Sequence, residues 1–503
     1  MKHFDRTHYK DPEHYEQSIK DKGCSGFCPI PWVSLGVNNN GDYRMCVQAA
    51  ANRKNNIRGQ CKGPDGVTMR IEDTSIADSR NSEVMKETRR DMIAGKRSDH
   101  CVRCNREDDA GSNSRRWLDL KKYWQEFDID DAIENTAKDG SIDTEEYPLL
   151  DLDLRLDNTC NLKCRMCGPT ESHQWYTEWM KTTGYKKFKA YDHTVNLEMQ
   201  GSRAKIVGKS PYGWSDRIDV AEILQKDAPH LKQIYMSGGE PLIINQQYEV
   251  LQQYIDNGTA KDLEIDYNTN FTSIPQRALD QWKHFRQVNI GGSVDGIDKV
   301  NDYVRYPSKW TQIKENITKL DTQTEDNVTC WLTYTWQILN VLSVTDIIEY
   351  CLEQDFVKFN RYSQSAFFTY HPVHNPAYYC VTSLPDPAKE YVTKYITDWM
   401  NGWFKEWCDS KPRDYKMSNS NYEMRNHGKI TRDWDNGPDA LYEITCKQLN
   451  SMLQFMNARS TVEELPEMWR RTRILDESRG ENFEEVYPEL AVHIKKHLGI
   501  SND

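Results

Sequence analysis

The 503-residue chain reads as an α/β protein with parallel strands, preceded by a cysteine-rich region and followed by a mainly helical one. Three observations predict this class. After about residue 147, strand-like runs alternate with helix-like segments six times, and the connections are long enough for right-handed crossovers. Sulfur-bearing or polar clusters fall directly after those runs, at the strand ends where parallel α/β folds place their sites. Six of the fourteen cysteines precede the alternation, and long amphipathic helices at 385–407 and 438–458 follow it. The expected division is 1–146, 147–370 and 371–503.

Within 1–146, Cys28-Pro-Ile-Pro-Trp32, Asn40-Gly41 through Cys46, and Cys101-x-x-Cys104 with Glu107 form a dispersed set of four thiols. Asn-Gly between extended segments signals a hairpin, which brings Cys28 and Cys46 together. Residues 81–95 have a helical pattern, and the basic stretch from Arg115-Arg116 to Lys121-Lys122 reads as a solvated helix face. The strand-like runs are 149–156, 231–236, 263–269, 288–293, 328–337 and 356–367. Helix-like segments between them include 246–256, 275–285, 310–320 and 344–353. Residues 183–215 lack clear periodicity and read as an insertion covering the mouth of the fold. Thr369 to Pro376, with His371 and His374, reads as an ordinary proline-punctuated loop. Cys351 and Cys446 fall on apolar helix stripes and read as core.

The first strand leads into Cys160-Asn-Leu-Lys-Cys164-Arg-Met-Cys167. Three thiols at this spacing can hold three irons of a [4Fe–4S] cluster and leave the fourth open, since fully ligated electron-transfer clusters generally take four cysteines. Structural zinc, with a fourth ligand from elsewhere, is the alternative reading of such a spacing. Tyr235-Met-Ser-Gly238-Gly239-Glu240-Pro241-Leu242, after the second strand, favours the cluster. Glycines at a strand end let the backbone approach a ligand closely, and a carboxylate suits an ammonium group.

The triplet and the Gly-Gly-Glu-Pro segment together resemble the radical S-adenosylmethionine (SAM) superfamily. The resemblance implies a partial (β/α)6 TIM-like barrel in which the open iron chelates the amino and carboxylate groups of SAM. One electron from the cluster then cleaves the sulfonium to a 5′-deoxyadenosyl radical. It also implies that Gly238, Gly239, Glu240 and Pro241 hold the SAM amino group, and that Asn270 and Ser293 reach its ribose and carboxylate. Arg305 is the expected charge partner of the methionyl carboxylate, and Met166 packs on adenine. Each of these has a plainer reading, because Asn, Ser and Gly gather in turns anyway.

The N-terminal thiols resemble a twitch or SPASM-type auxiliary-cluster domain, here placed before the barrel. As a whole, residues 24–345 look like the twitch-domain radical SAM proteins of marine tailed bacteriophages. The cues are C-x-x-P-W, N-G-x-x-x-x-C, C-x-x-C-x-x-E and the stretch from Asp153 to Pro169. The family often doubles a cysteine where this chain has Cys46-Val47, so a second [4Fe–4S] cluster rests on Cys28, Cys46, Cys101 and Cys104. A zinc ribbon would use the same four thiols. Cys24 and Cys61 are extra.

Related auxiliary-cluster proteins modify peptides, so the expected substrate is a peptide or protein side chain, with flavodoxin or ferredoxin as electron donor. Oxidation or rearrangement of a small metabolite is the alternative, favoured if Lys181, Lys186, Lys187 and Lys189 face inward. A non-catalytic, zinc-stabilised interaction protein is the alternative from another class. A net charge of −12 leaves no broad footprint for duplex nucleic acid. No apolar run approaches the ~18 residues of a membrane span and no signal-peptide core is evident, so the expected location is the cytoplasm, that of the host if phage-encoded.

Overall fold

The computed structural model describes residues 9–24, 26–49, 59–109, 114–359, 368–421, 423–424, 428–429 and 436–501. Its main strands are β1 Ser34–Val37, β2 Tyr43–Arg44, β3 Asp151–Leu154, β4 Lys187–Ala190, β5 His193–Gln200, β6 Arg203–Val207, β7 Gln233–Met236, β8 Glu264–Thr269, β9 Gln287–Ser293, β10 Val328–Trp336 and β11 Phe368–Pro372. The chain divides into two compact units, one of Met1–Asn158, Lys187–Asn196 and Ile206–Ile265, the other of Thr159–Lys186, Leu197–Lys205 and Asp266–Asp503.

In the first unit the strand order is β7-β3-β1-β2. β1 and β2 form the expected hairpin, antiparallel with Gly36 opposite Arg44. Its turn uses Gly41 at positive φ, where a side chain would be strained, and the Gly41 N–H closes on the Asn38 carbonyl at 2.8 Å. β3 lies parallel to both β1 and β7, with Asp151 opposite Ser34 on one side and Gln233 on the other. It is buried on both faces, as strands of a parallel sheet are. Leu152 and Leu154 fill one face, while on the other Asp151 is held by Lys122 and by Tyr123 Oη at 2.8 Å, and Asp153 by Arg44. Phe27, Trp32, Phe127 and Tyr147 pack ring on ring beside it.

The second unit carries the order β11-β10-β9-β8, with β8 entering it at Asp266. β9 runs parallel to β10, Ser293 opposite Thr333, and β10 runs parallel to β11, Leu332 opposite Phe368. Helices Gln276–Trp282, Trp310–Gln323 and Val344–Gln354 follow β8, β9 and β10 in turn. The i, i+4, i+7 stripe of Ile313, Ile317 and Leu320 and the stripe of Val344, Ile347, Ile348 and Cys351 are buried, as amphipathic helices on a sheet require. This is the mostly parallel α/β architecture the alternation predicts, with a helical C-terminal part.

The structure differs from the sequence reading at three places. Most of the expected 356–367 strand lies outside the described residues, although Phe359 makes an isolated parallel bridge to Cys330. The strand that pairs with β10 is Phe368–Pro372, read above as loop, and its proline stands at its last position, where a missing N–H is tolerated. Residues 183–215 contain strands. β4 alternates, with Phe188 and Ala190 buried and Lys187 and Lys189 exposed, and pairs antiparallel with β5, Lys187 opposite Asn196. Finally, Arg115–Lys122 is a helix but not a solvated face, since Arg116 and Asp119 are buried.

Candidate active site

Cys160, Cys164 and Cys167 lie in the second unit, on the loop that follows β3 in sequence. Cys160 and Cys164 are buried with Leu162, and Met166 and Cys167 pack against them. The loop is tightly specified. The Cys167 N–H closes a turn on the Cys164 carbonyl at 3.0 Å, the Ser172 hydroxyl donates to the Leu162 carbonyl at 2.5 Å, and the Cys160 N–H donates to His173 Nδ1 at 3.2 Å. The N–H groups of Lys163 and Arg165 donate to the Tyr306 and Val304 carbonyls at 2.8 and 2.9 Å. A hydrogen bond from Cys167 holds the Cys164 thiol below its ordinary range, and the guanidinium groups of Arg305 and Arg479 act in the same direction.

The two expected SAM-binding residues at strand ends fall differently. Asn270, just after β8, donates from Nδ2 to Asn161 Oδ1 at 2.9 Å, with Cys160 Sγ 4.0 Å from the same nitrogen. Its Oδ1 accepts from the Thr272 N–H and hydroxyl at 2.9 and 2.5 Å, so this side chain ties the cysteine loop to the end of β8. Ser293 is the half-buried last residue of β9. Arg305 pairs with the fully buried Asp295 at 2.8 Å, and Asp295 also accepts the Thr335 N–H at 2.8 Å. Burial pushes the Asp295 carboxyl up even with Arg305 opposing it.

Gly238, Gly239, Glu240 and Pro241 belong to the first unit. Both glycines have positive φ, and a Cβ on Gly238 would meet the Arg155 side chain at 2.9 Å. Glu240 is 1% exposed and its carboxylate accepts the Leu242 N–H at 3.1 Å, capping the short turn Pro241–Ile243.

The same unit brings Cys28, Cys46, Cys101 and Cys104 around one cavity, together with His100, Arg115, Arg116 and Asp119. Cys28 precedes the short helix Ile30–Val33, Cys46 follows β2, and Cys101 and Cys104 lie where the turn Asp99–Cys101 runs into helix Val102–Asp109. Burial pushes all four thiols up, Cys101 to about 12 with the neighbouring Cys46 adding to it. Arg115 opposes this at Cys46, and Arg116 at Cys101 and Cys104. Arg116 is fixed by Asp108 and by Asn105 Oδ1 at 2.6 Å, and Arg115 by Asp119 at 3.0 Å. Cys24 sits instead beside Lys22 and Asp130, and Cys61 beside Ser82 and Arg89. Among the described residues, no three His, Cys, Asp or Glu side chains are grouped so as to hold one metal ion.

Other candidates disperse. Lys181, Lys186, Lys187 and Lys189 are exposed rather than inward-facing. His371 stands in β11, and the His374 ring packs edge-on against Phe455. Sequence reasoning missed Arg115, Arg116 and Asp119 at the thiol cavity, and Glu178, Asp295, Asp476 and Arg479 around the cysteine loop. For all but Asp295, which lies in the loop after β9, the one available signal was a surplus of charge on helices that also carry buried positions.

Residues 156–335 match the Radical SAM superfamily. That segment is similar to a radical SAM domain. No curated protein matches the sequence. Among solved structures, anSMEcpe with bound AdoMet and Cp18Cys peptide is similar at 14% identity and a TM-score of 0.30, over 52% of this chain and 61% of that one. The match thus spans about three-fifths of the anSMEcpe chain. SuiB of Streptococcus suis bound to precursor peptide SuiA is similar at 12% identity and a TM-score of 0.32, over 68% of this chain and 72% of that one. No helix among the described residues is long and apolar enough to cross a membrane.

The donor set of the cysteine loop fits a cluster with an open iron. It consists of three thiols, two buried and one half-buried, flanked by two guanidinium groups that suit the negative charge of a thiolate-ligated cluster.

Proposed function

We propose that the chain is a radical SAM enzyme in which Cys160, Cys164 and Cys167 hold a [4Fe–4S] cluster. When bound, cluster and SAM would supply a 5′-deoxyadenosyl radical that takes hydrogen from a substrate. Gly238, Gly239, Glu240 and Pro241, with Met166, Asn270, Ser293 and Arg305, would bind SAM. The observation that carries this reading is the three-thiol loop inside the matched segment, with Cys160 and Cys164 buried and Arg305 and Arg479 set about Cys164. This chain's own residues supply the fixed loop, the exclusion of water and the charged groups that orient a bound ligand.

Residues 1–146 would form a twitch- or SPASM-like module holding a second [4Fe–4S] cluster on Cys28, Cys46, Cys101 and Cys104, residues 147–370 the barrel, and 371–503 the helical extension. Four thiols that ring one cavity would suit a multi-iron cluster, whose ligands bind different irons. A zinc ribbon would use the same four thiols. Their protons, held by burial, would leave on metal binding. The substrate we favour is a peptide or protein side chain, by the resemblance of this thiol set to auxiliary-cluster enzymes. The exposed position of the four lysines removes the feature that favoured an anionic metabolite. Flavodoxin or ferredoxin would deliver the electron.

Anaerobic, reconstituted protein given dithionite and SAM should release methionine and 5′-deoxyadenosine slowly without substrate. Cys101→Ala with Cys104→Ala should leave that cleavage in place. No 5′-deoxyadenosine from fully reconstituted wild type would overturn the proposal, and iron accompanied by one zinc would make the N-terminal site a zinc ribbon.

A further inference from the structure

We infer that the helix Leu465–Arg479, more than 300 positions away in sequence, is part of the cluster site: its Asp476 and Arg479 hold the 160–167 loop in the shape that the thiols need. This rests on the reading that the loop binds a cluster. All the groups involved lie in the second unit.

Arg165, between Cys164 and Met166, has a fully buried side chain. Its Nε donates to the Tyr303 carbonyl at 3.0 Å, and Nη2 pairs with Asp476 at 2.5 Å and Glu481 at 2.7 Å. The guanidinium lies 3.6 Å from the centre of the Tyr303 ring. Asp476 is itself oriented by the Tyr303 hydroxyl and the Phe483 N–H, both at 2.9 Å. One turn further on, Arg479 is also fully buried and grips the other side of Cys164. It donates to the Lys163 carbonyl at 2.8 Å, pairs with Glu178 at 2.6 Å, and sits against the Tyr306 and Trp175 rings at 4.9 and 5.2 Å.

Lys163 and Arg165 are the two neighbours of Cys164 in the chain. Each is held through its N–H on the Tyr306 or Val304 carbonyl and again from the helix. Fixing both neighbours fixes the thiol between them. A buried guanidinium with fully oriented partners has one low-energy arrangement, whereas a solvated one has many. Groups that orient a ligand residue without touching the metal typically change metal affinity by 10–100-fold when removed. The two arginines and their carboxylates are positioning residues of that kind.

The test uses the full chain carrying Cys101→Ala and Cys104→Ala, so that bound iron reports the 160–167 loop. Asp476→Asn and Arg479→Lys should release iron to a ferrous chelator roughly 10–100-fold faster than the parent. Glu467→Gln, on the same helix but bonded to Arg470 and Arg471 at the surface, should release it at the parental rate. A second measurement needs no further substitution: hydrogen exchange of residues 465–479 in wild type should slow when iron is loaded. Equal iron loss from Asp476→Asn, Arg479→Lys and parent, or exchange unchanged by iron, overturns this inference alone. A wild-type chain that takes up no iron at this loop overturns the cluster reading and the inference with it.

Discussion

In the proposed enzyme Glu240 would have two separable jobs, and one pair of substitutions tells them apart. The carboxylate is 1% exposed and caps the Pro241–Ile243 turn through the Leu242 N–H at 3.1 Å. In the proposed enzyme it would also bind the SAM ammonium. Gln at this position keeps the carbonyl oxygen that accepts from Leu242 and removes only the charge. A hydrogen bond to a charged group contributes about 1.5–3 kcal/mol and a neutral one about 0.5–1.5, so Glu240→Gln should cost about 1–2 kcal/mol of SAM binding, roughly 5–30-fold in Kd. The apoprotein should melt near the wild-type temperature. Glu240→Ala loses the cap as well, about 1 kcal/mol of stability, and should lower both Tm and affinity. The assay is calorimetric SAM titration of anaerobically reconstituted protein, with iron content and apoprotein melts measured alongside. Unchanged SAM affinity in Glu240→Gln with a full complement of iron would refute the binding role and leave Glu240 a capping residue.

Reconstituted wild type should hold about eight irons per chain and the Cys160, Cys164 and Cys167 triple Ala variant about four, measured by iron analysis; zinc without iron in the wild type would defeat the enzyme reading. Gly292→Ala should destabilise the apoprotein by about 1–3 kcal/mol in urea unfolding, because its Cβ would lie 1.6 Å from the buried Phe271 ring. Asp346, raised to about 6 mainly by burial with Glu349 adding, disfavours folding when ionised. Its contribution is fully favourable below the ordinary carboxyl value near 4 and is lost as pH rises through 6. Asp346→Asn should therefore be more stable than wild type by up to roughly 3 kcal/mol at pH 8, with the gap closing toward pH 4, in melts at both pH values.

Most of the sheet was legible because its strands are short apolar runs bounded by polar turns: β7 to β10 fall within a residue or two of their expected limits. Two kinds of strand were not. In β4 the period of two is present, but lysines fill the outward positions and lower the mean hydropathy of the whole stretch. In β11 histidine and proline disguise a strand whose buried Phe368 pairs beside Leu332. The thiols were legible by spacing, and the structure gathers the four N-terminal ones about one cavity, of which the hairpin signal suggested only Cys28 with Cys46.

The charged residues were the hardest to read, for a physical reason. Pattern reading sends charge to solvent because an unpaired buried ion is costly. That rule fails wherever two charges satisfy each other in the interior, and the chain does this repeatedly: Arg116 with Asp108, Arg305 with Asp295, Arg165 with Asp476, Arg479 with Glu178. Arg165 and Asp476 are 311 positions apart, so neither alone carries any local sign of the other. Both belong to segments that otherwise read as ordinary, one a motif whose cysteines draw the eye and the other a helix crowded with arginine and glutamate. Asn270 shows the complementary case. A short polar residue at a strand end can serve a ligand or a turn, and here its carbonyl and amide are both engaged in holding Thr272 and Asn161. In the proposed enzyme its contribution to SAM binding would therefore run partly through the cysteine loop, and Asn270→Ala should loosen iron as well as weaken SAM binding, read by iron release to a chelator and by SAM titration.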